Sequence, residues 1–489
     1  LYRWMNYQQF VRSKQMRASN RTRLYSQYRQ EQVQEKLSQL GIFSYMDMQY
    51  APRDTTAACD TLDVTMQATF AKPLDAELEL NVVTKSNDQT GPGASFGVTR
   101  NNVFGGGESW NVKLKGSYEW QTGGGEKSSL MNSWEMGLST SLTFPRVVFP
   151  HLGKREFDFP ATTTFRLYIN QLNRAKYYKL LSFGGNATYD FQPSRTSRHS
   201  ITPFKLTFNV LQHQSEDFKE IAEANPALYV SLRNQFIPAM EYTYTYDNAS
   251  GLRIKNPIWW QSTVTSAGNI TSLIYRAFGK PFNEEDKSLL GAPFAQFVKL
   301  NTELRHLWNI DKNNAIASRM AVGALFTYGN ATIAPYSEQF YVGGANSIRA
   351  FTVRSVGPGG YHPEEGKYSY LDQTGTFRFE ANVEYRFRIF KSFWGATFLD
   401  AGNVWLLRKD RKLLADGKEA RPNSQLRLKT FPKQIALGTG VGIRYDMDIL
   451  VFRLDFGIPL HLPYDTERSG YYNVTGAFFK NLGIHFAIG

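Results

Sequence analysis

Three stretches of this sequence carry residue types that could do bond chemistry. GASFG, residues 93–97, matches the G-x-S-x-G pattern, in which a nucleophilic serine sits on a sharp strand-to-helix turn. The residues that follow, VTRNNVFGGG, read as extended chain and then a turn, so Ser95 reads as a strand residue. GGGESW has the glycines of a phosphate loop but no Lys-Ser/Thr pair after them. The seven histidines are scattered, with neither HExxH nor paired-Cys spacing, and the single Cys59 can form no intramolecular disulfide and no metal cluster. Asn-x-Ser/Thr sites such as Asn330 with Thr332 matter only in a eukaryotic secretory pathway. No catalytic residue, metal or cofactor is expected.

The chemistry that remains is electrostatic, and it lies in the C-terminal third. The glycine-rich run FYVGGANSIRAFTVRSVGPGGYHP carries Arg349 between the apolar Ile348 and Phe351. Next comes FRFEANVEYRFRIF, residues 377–390, in which apolar and charged residues alternate strictly. FLDAG then puts Phe398, Asp400 and Gly402 on one face. Acids on the inner faces of two adjacent strands, Glu384 and Asp400, need cationic partners. Arg349 supplies a forked guanidinium if its loop folds inward. Inner-face arginines such as Arg386 and Arg453 are the alternative, and spacing leaves both open.

These residues must be positioned by strands. The chain has 489 residues, a net charge of +13 and 15% aromatic residues, with Phe 35 and Tyr 27. It contains no uncharged apolar run of the roughly 18 residues that a transmembrane helix requires. That excludes a helical membrane protein and says nothing against a barrel, whose strands need only about ten residues each. A basic balance suits nucleic acid, an anionic lipid surface or a polar channel lining. From residue 74 the period-two alternation recurs: LDAELELNV, WNVKLKGSYEW, WEMGLSTSLTF, further runs near 163–170, 181–191, 203–211, 237–247, 294–305, 316–328, 436–446 and 449–458, and finally LGIHFAI. With weaker runs at 94–104, 258–268 and 393–405 the count is about sixteen, an even number. Short turns (FGGGE, residues 390–392, DMD) alternate with long connections at 270–291, 329–375, 406–432 and 459–479. SEDFKEIAEANPALYVSLRNQ reads as a helix inside a long loop, and PRVVFPHLGKREFDFP is long for an inner turn. The pattern predicts an all-β membrane protein, an antiparallel transmembrane barrel over 74–489 with lipid outside and charges in the lumen. Lipid rather than nucleic acid is then the expected partner of the basic surface.

Residues 1–73 differ. Val33, Leu37 and Leu40 stand at helical spacing, Gly41 ends that helix, and IFSYMDMQY and TLDVTMQATF read as strands, with an earlier helix inside 4–18. The order suggests a small α+β module. The chain opens LYRWMN, without an initiator Met or a signal segment, so further sequence is expected upstream.

Several segments together resemble the outer-membrane assembly-factor superfamily, which includes BamA, TamA and the two-partner-secretion transporters. SIRAF is similar to its V-R-G-F/Y signature, FLDAG to its F-x-D-x-G strand and EANVEYRF to the strand before that. NVFGGGE resembles its turn after the second strand, and KLSQLGIFSYMDMQY with TLDVTMQATF resembles the end of a POTRA domain. The GPGGYHPEE loop looks like the Bacteroidota TamA-type lipoprotein branch. Ala350 departs from the family's usual Gly, and the end HFAIG departs from its terminal aromatic residue.

The resemblance implies a bacterial outer-membrane location with residues 1–73 as a periplasmic POTRA-like domain, the last of several. It implies that Ser347, Ile348, Arg349, Ala350 and Phe351 form the tip of loop 329–375 folded into the barrel, with Arg349 on Asp400 and Glu384. It implies insertion of barrel proteins through a seam between LDAELELNV (Leu78, Leu80) and LGIHFAI (Gly483, Ile484, Phe486), or else secretion of a substrate through the lumen. Implied partners are unfolded outer-membrane clients, periplasmic or lipoprotein accessory subunits such as a TamB-like protein, and outer-membrane lipid and lipopolysaccharide.

Overall fold

The structure is a computed structural model that describes residues 25–38, 40–54, 61–84, 89–121, 133–148, 161–174, 178–216, 219, 234–249, 254–282, 287–289, 292–330, 334–363, 373–409, 419, 421–447, 450–468, 470–476 and 481–488. The expected helix inside 4–18 lies outside these residues, as do most of the expected helix near 215–235 and most of the long turn at 145–160.

Helix α1 (Gln27–Ser38) precedes strands β1 (Phe43–Pro52) and β2 (Leu62–Phe70), which pair antiparallel. Leu37 and Ile42 are buried beside them, whereas Leu62, Val64, Met66 and Phe70 of β2 are exposed.

The rest of the chain builds one antiparallel sheet of sixteen strands. They are β3 (Leu74–Thr84), β4 (Gln89–Asn101), β5 (Ser109–Gln121), β6 (Ser133–Phe144), β7 (Ala161–Arg174), β8 (Tyr178–Phe191), β9 (Ser197–Gln214), β10 (Gln235–Asp247) and β11 (Ile258–Ala267). After helix α2 (Asn269–Ala277) and the two-residue strands β12 (Ser288–Leu289) and β13 (Ala292–Pro293), which pair apart from the sheet, it resumes. The remaining members are β14 (Phe297–Asn309), β15 (Asn314–Thr327), β16 (Phe377–Phe390), β17 (Phe393–Trp405), β18 (Ala436–Asp446), β19 (Val451–His461) and β20 (Gly483–Ile488). The strand class, the number and the order expected from alternation all hold, and β16 spans the same residues as the alternating segment that predicts it. Its odd face shows why: Val383, Tyr385, Phe387 and Ile389 point outward and are exposed, while Glu380 and Glu384 are buried inside. Ser95 sits mid-strand on β4 and donates to Glu79 at 3.0 Å, a strand-surface contact.

Two features differ from the sequence reading. Connection 270–291 holds α2, whose short amphipathic pattern is masked by flanking Gly and Pro. The cylinder also lacks a backbone ladder between its ends: the hydrogen-bond order runs from β3 to β20, and among the described residues no ladder joins these two. The described part of β20 has six residues and β3 has eleven.

The long connection between β15 and β16 turns inward from the rim that carries the long loops. Val342, Ile348, Phe351 and Val356 pack on Ile237, Ala239, Ala267, Phe297, Leu325, Val404 and Ala436, all near that rim, in one buried apolar cluster. The lumen is thus filled in two storeys, apolar towards the rim and ionic at mid-height.

Candidate functional site

The ionic storey forms because alternation sends one acid from each of several strands inward. Asp400 on β17 and Asp455 on β19 are fully buried, and Glu384 on β16 nearly so. Arg349, at the loop tip, is equally buried among them. Its Nε and Nη2 donate to Asp400 Oδ2 and Oδ1 at 2.8 and 2.9 Å, and its own backbone N–H adds a third bond to Oδ2 at 3.0 Å. Nη1 donates to Glu384 Oε2 and lies 3.7 Å from Asp455. The guanidinium plane rests on the Phe398 ring, with Cζ 3.5 Å from the centroid. A planar, delocalised cation suits this site as an ammonium would not: it meets a carboxylate edge-on and an aromatic face-on at once.

The two readings of the acids' partners meet at Glu384, whereas the cationic partner of Asp400 among the described residues is Arg349. Arg386 donates to Glu384 Oε1 at 2.7 Å, beside Arg349 on Oε2. Arg453 instead pairs with Asp455 at 3.3 Å and donates to Ala345 O and Asn346 Oδ1 of the loop. Arg444 on β18 bridges Glu384 at 3.0 Å and Asp455 at 2.6 Å. Taking three carboxylates out of water costs several kcal/mol each. Charge-assisted hydrogen bonds offset this at Asp400 and Glu384. At Asp455 close ion pairs with Arg444 and Arg453 do so, and its buried oxygens accept no well-aligned hydrogen bond among the described residues.

The tip's other residues are held as closely. Ser347 Oγ donates to Glu380 Oε2 at 2.7 Å and accepts from the Gly343 N–H at 3.0 Å. Asn382 Nδ2 donates both to the Ser347 carbonyl and to Asp400 Oδ1. Ile348, Ala350 and Phe351 enter the apolar storey. Ala350 and the Arg349 carbonyl press on wall glycines: a Cβ on Gly438 would stand 2.3 Å from the Ala350 Cβ, and one on Gly457 would stand 2.7 Å from Arg349 O. Gly402 lies equally close to β16, where a Cβ would stand 2.8 Å from Phe379 O.

The tip also reaches the last strand. His485 Nε2 on β20 lies 2.7 Å from the Arg349 carbonyl oxygen, and the Nε2–H tautomer donates to it. A Cβ on neighbouring Gly483 would meet the same oxygen at 3.2 Å. Leu78, Leu80, Ile484 and Phe486 face outward and are exposed. Among the described residues no contact brings these four to the tip, whereas Gly483 is beside it. Asp455, Arg444, Asn382, Glu380 and His485 escape the sequence reading. Their signal is the parity of their strands, and VFRLDFG on β19 repeats the inward acid of FLDAG.

Comparison with known families matches residues 102–489 to the Omp85 superfamily domain. The chain belongs to the Omp85 superfamily. Among solved structures it is similar to BamA from Haemophilus ducreyi lacking POTRA domains 1–3, with 14% identity and a TM-score of 0.56, over 93% of this chain and 76% of that one. It also matches CdiB from Acinetobacter baumannii at 13% identity and a TM-score of 0.48, over 92% of this chain and 66% of that one. The BamA likeness shows the fold. Omp85 membership carries an outer-membrane location for the sixteen-stranded sheet, so the exposed apolar faces of its strands are the lipid-facing band.

Proposed function

We propose that this Omp85 protein inserts β-barrel proteins into the bacterial outer membrane through a lateral opening between β3 and β20. The observation that supports the reading is that, among the described residues, no backbone ladder joins the two end strands of the sheet, β3 and β20. An unpaired edge inside a membrane is costly, because no water is present to satisfy its N–H and C=O groups. A nascent strand of a client removes that cost by β-augmentation. No bond is made or broken, so the work needs no nucleophile and no cofactor. The ionic lock keeps the loop in the lumen while the wall opens beside it, and the His485 contact ties β20 to the loop tip.

In this reading residues 1–73 are the last POTRA-like domain, lying in the periplasm and receiving unfolded clients at strand edges. Accessory subunits, a TamB-like protein among the candidates, would dock there, and lipid with lipopolysaccharide surrounds the wall. Disulfide crosslinking of cysteine pairs along β3 and β20, in a Cys59→Ser background, tests the proposal in proteoliposomes. Client insertion should be lost when oxidised and restored by reductant; undiminished insertion refutes lateral opening. Depletion in the source bacterium separates this from secretion through the lumen. Loss of many outer-membrane barrels fits an insertase, and loss of one secreted substrate fits a translocator.

A further inference from the structure

Helix α2 is amphipathic with its polarity reversed relative to a helix packed on a protein core. Thr271 and Ser272 are buried against the protein, and Ser272 Oγ donates to Gln296 Oε1 at 3.0 Å. Ile270, Leu273, Ile274, Ala277 and Phe278 recur at i, i+3, i+4, i+7 and i+8, and all five are exposed. Phe278 is 84% exposed, more than any strand aromatic with a lipid-facing position.

The helix lies on the outer side of the wall. On β10 the even residues Met240 and Tyr242 point outward and are exposed, so Phe236 shares their face; yet Phe236 is buried. What covers it is Phe294, with Tyr275 of α2 and Phe208 of β9 packed alongside. Ring centroids run from Phe183 to Phe208 (5.2 Å) and on to Phe236 (6.0 Å), and Phe294 meets Tyr275 at 6.1 Å. Gly268, at φ 68°, makes the turn from β11 into α2; its N–H donates to Pro238 O, and a Cβ there would meet Ala295 O at 2.3 Å. The helix is therefore fixed against the lipid-facing aromatics of β8 to β10, at the rim that carries the long loops, and its apolar stripe continues that band.

We propose that α2 is an interfacial anchor embedded in the adjoining leaflet, with acyl chains against Ile270, Leu273, Ile274 and Phe278. Arg276, in its last turn, and Lys280 just after it are exposed and flank the stripe, where they meet lipid phosphates. An apolar face beside basic residues is the pattern that holds a helix in the plane of a bilayer surface. A rim helix seated in the leaflet fixes the height of β9 to β11 in the membrane, on the wall opposite the seam.

The test is a Cys59→Ser, Leu273→Cys variant carrying an environment-sensitive fluorophore. It is reconstituted into phosphatidylcholine vesicles, with and without phosphatidylglycerol. The emission should shift to the blue, be quenched by a lipid spin-labelled near the headgroup, and escape aqueous iodide. The same label at Leu428, a loop position that is 90% exposed, should remain iodide-accessible. Adding Arg276→Glu and Lys280→Glu should abolish the extra blue shift that phosphatidylglycerol gives. Iodide quenching at position 273, or protection that appears only as protein density in the vesicles rises, overturns the proposal; the second result would mark a contact between copies. Equal emission in both lipids with the basic pair intact overturns the phosphate part.

Discussion

At the scale of single residues, the ionic storey depends on geometry that charge alone does not supply. Arg349→Ala leaves Asp400 and Glu384 buried without their shared cation, and breaking such a pair costs about 3–5 kcal/mol. Arg349→Lys keeps the charge but loses the two-pronged bond to Asp400 and the stack on Phe398. Its loss in stability should fall between wild type and the alanine variant. Denaturant unfolding in detergent, followed by tryptophan fluorescence, reads both. Arg349→Ala combined with Asp400→Asn should cost less than the two single changes added together, because each single change already strands the other partner. Additive losses would mean that the two side chains do not act as a unit. Parity on β16 and β17 makes Glu384, Phe398 and Asp400 legible in the sequence as inward residues. Asp455, Arg444 and His485 obey the same parity, but nothing local distinguishes an inward polar residue that meets the loop from one that meets lumen water. That distinction is made by a loop that lies far away in sequence.

At the scale of elements, period-two alternation fixes each strand's two faces, which is why β16 to β18 are read from sequence almost to the residue. It carries no information on which end strands meet, since backbone pairing does not depend on side-chain type. α2 was unreadable for another reason: nine residues with an outward apolar stripe resemble a loop with scattered hydrophobics. The wall glycines make the element scale testable. Gly457→Val would drive a side chain into the Arg349 carbonyl, so the loop tip must withdraw while the strand, which tolerates valine, stays paired. Gly116→Val on β5 is the control, because nothing lies within 4 Å of a Cβ there. In planar bilayers the Gly457 variant should conduct more than wild type, with an unchanged β-sheet circular dichroism spectrum. The control should match wild type in both. Unchanged conductance for Gly457→Val would mean that the tip's seat on β19 does not hold the plug.

At the scale of the whole molecule, the sheet is continuous everywhere but at its ends, and the plug braces one side of that gap. β18 to β20 touch the loop tip through Gly438, Gly457 and His485, whereas β3 has no described contact with it. Opening should therefore move β3 more readily than β20. Hydrogen exchange on the reconstituted protein measures this directly, since each amide reports the opening that exposes it. Amides in the middle of β7 to β9, paired on both sides, should be the slowest. The β3 amides that do not bond to β4 should be the fastest of any strand, with those of β20 in between. Arg349→Ala should bring β20 to the rate of β3 and leave β7 to β9 unchanged, because the loop's hold on β20 runs through the Arg349 carbonyl and its anchoring to Asp400. Uniform protection across β3, β20 and β8 would mean that the membrane closes the ladder, and that entry of a client strand must begin by breaking it.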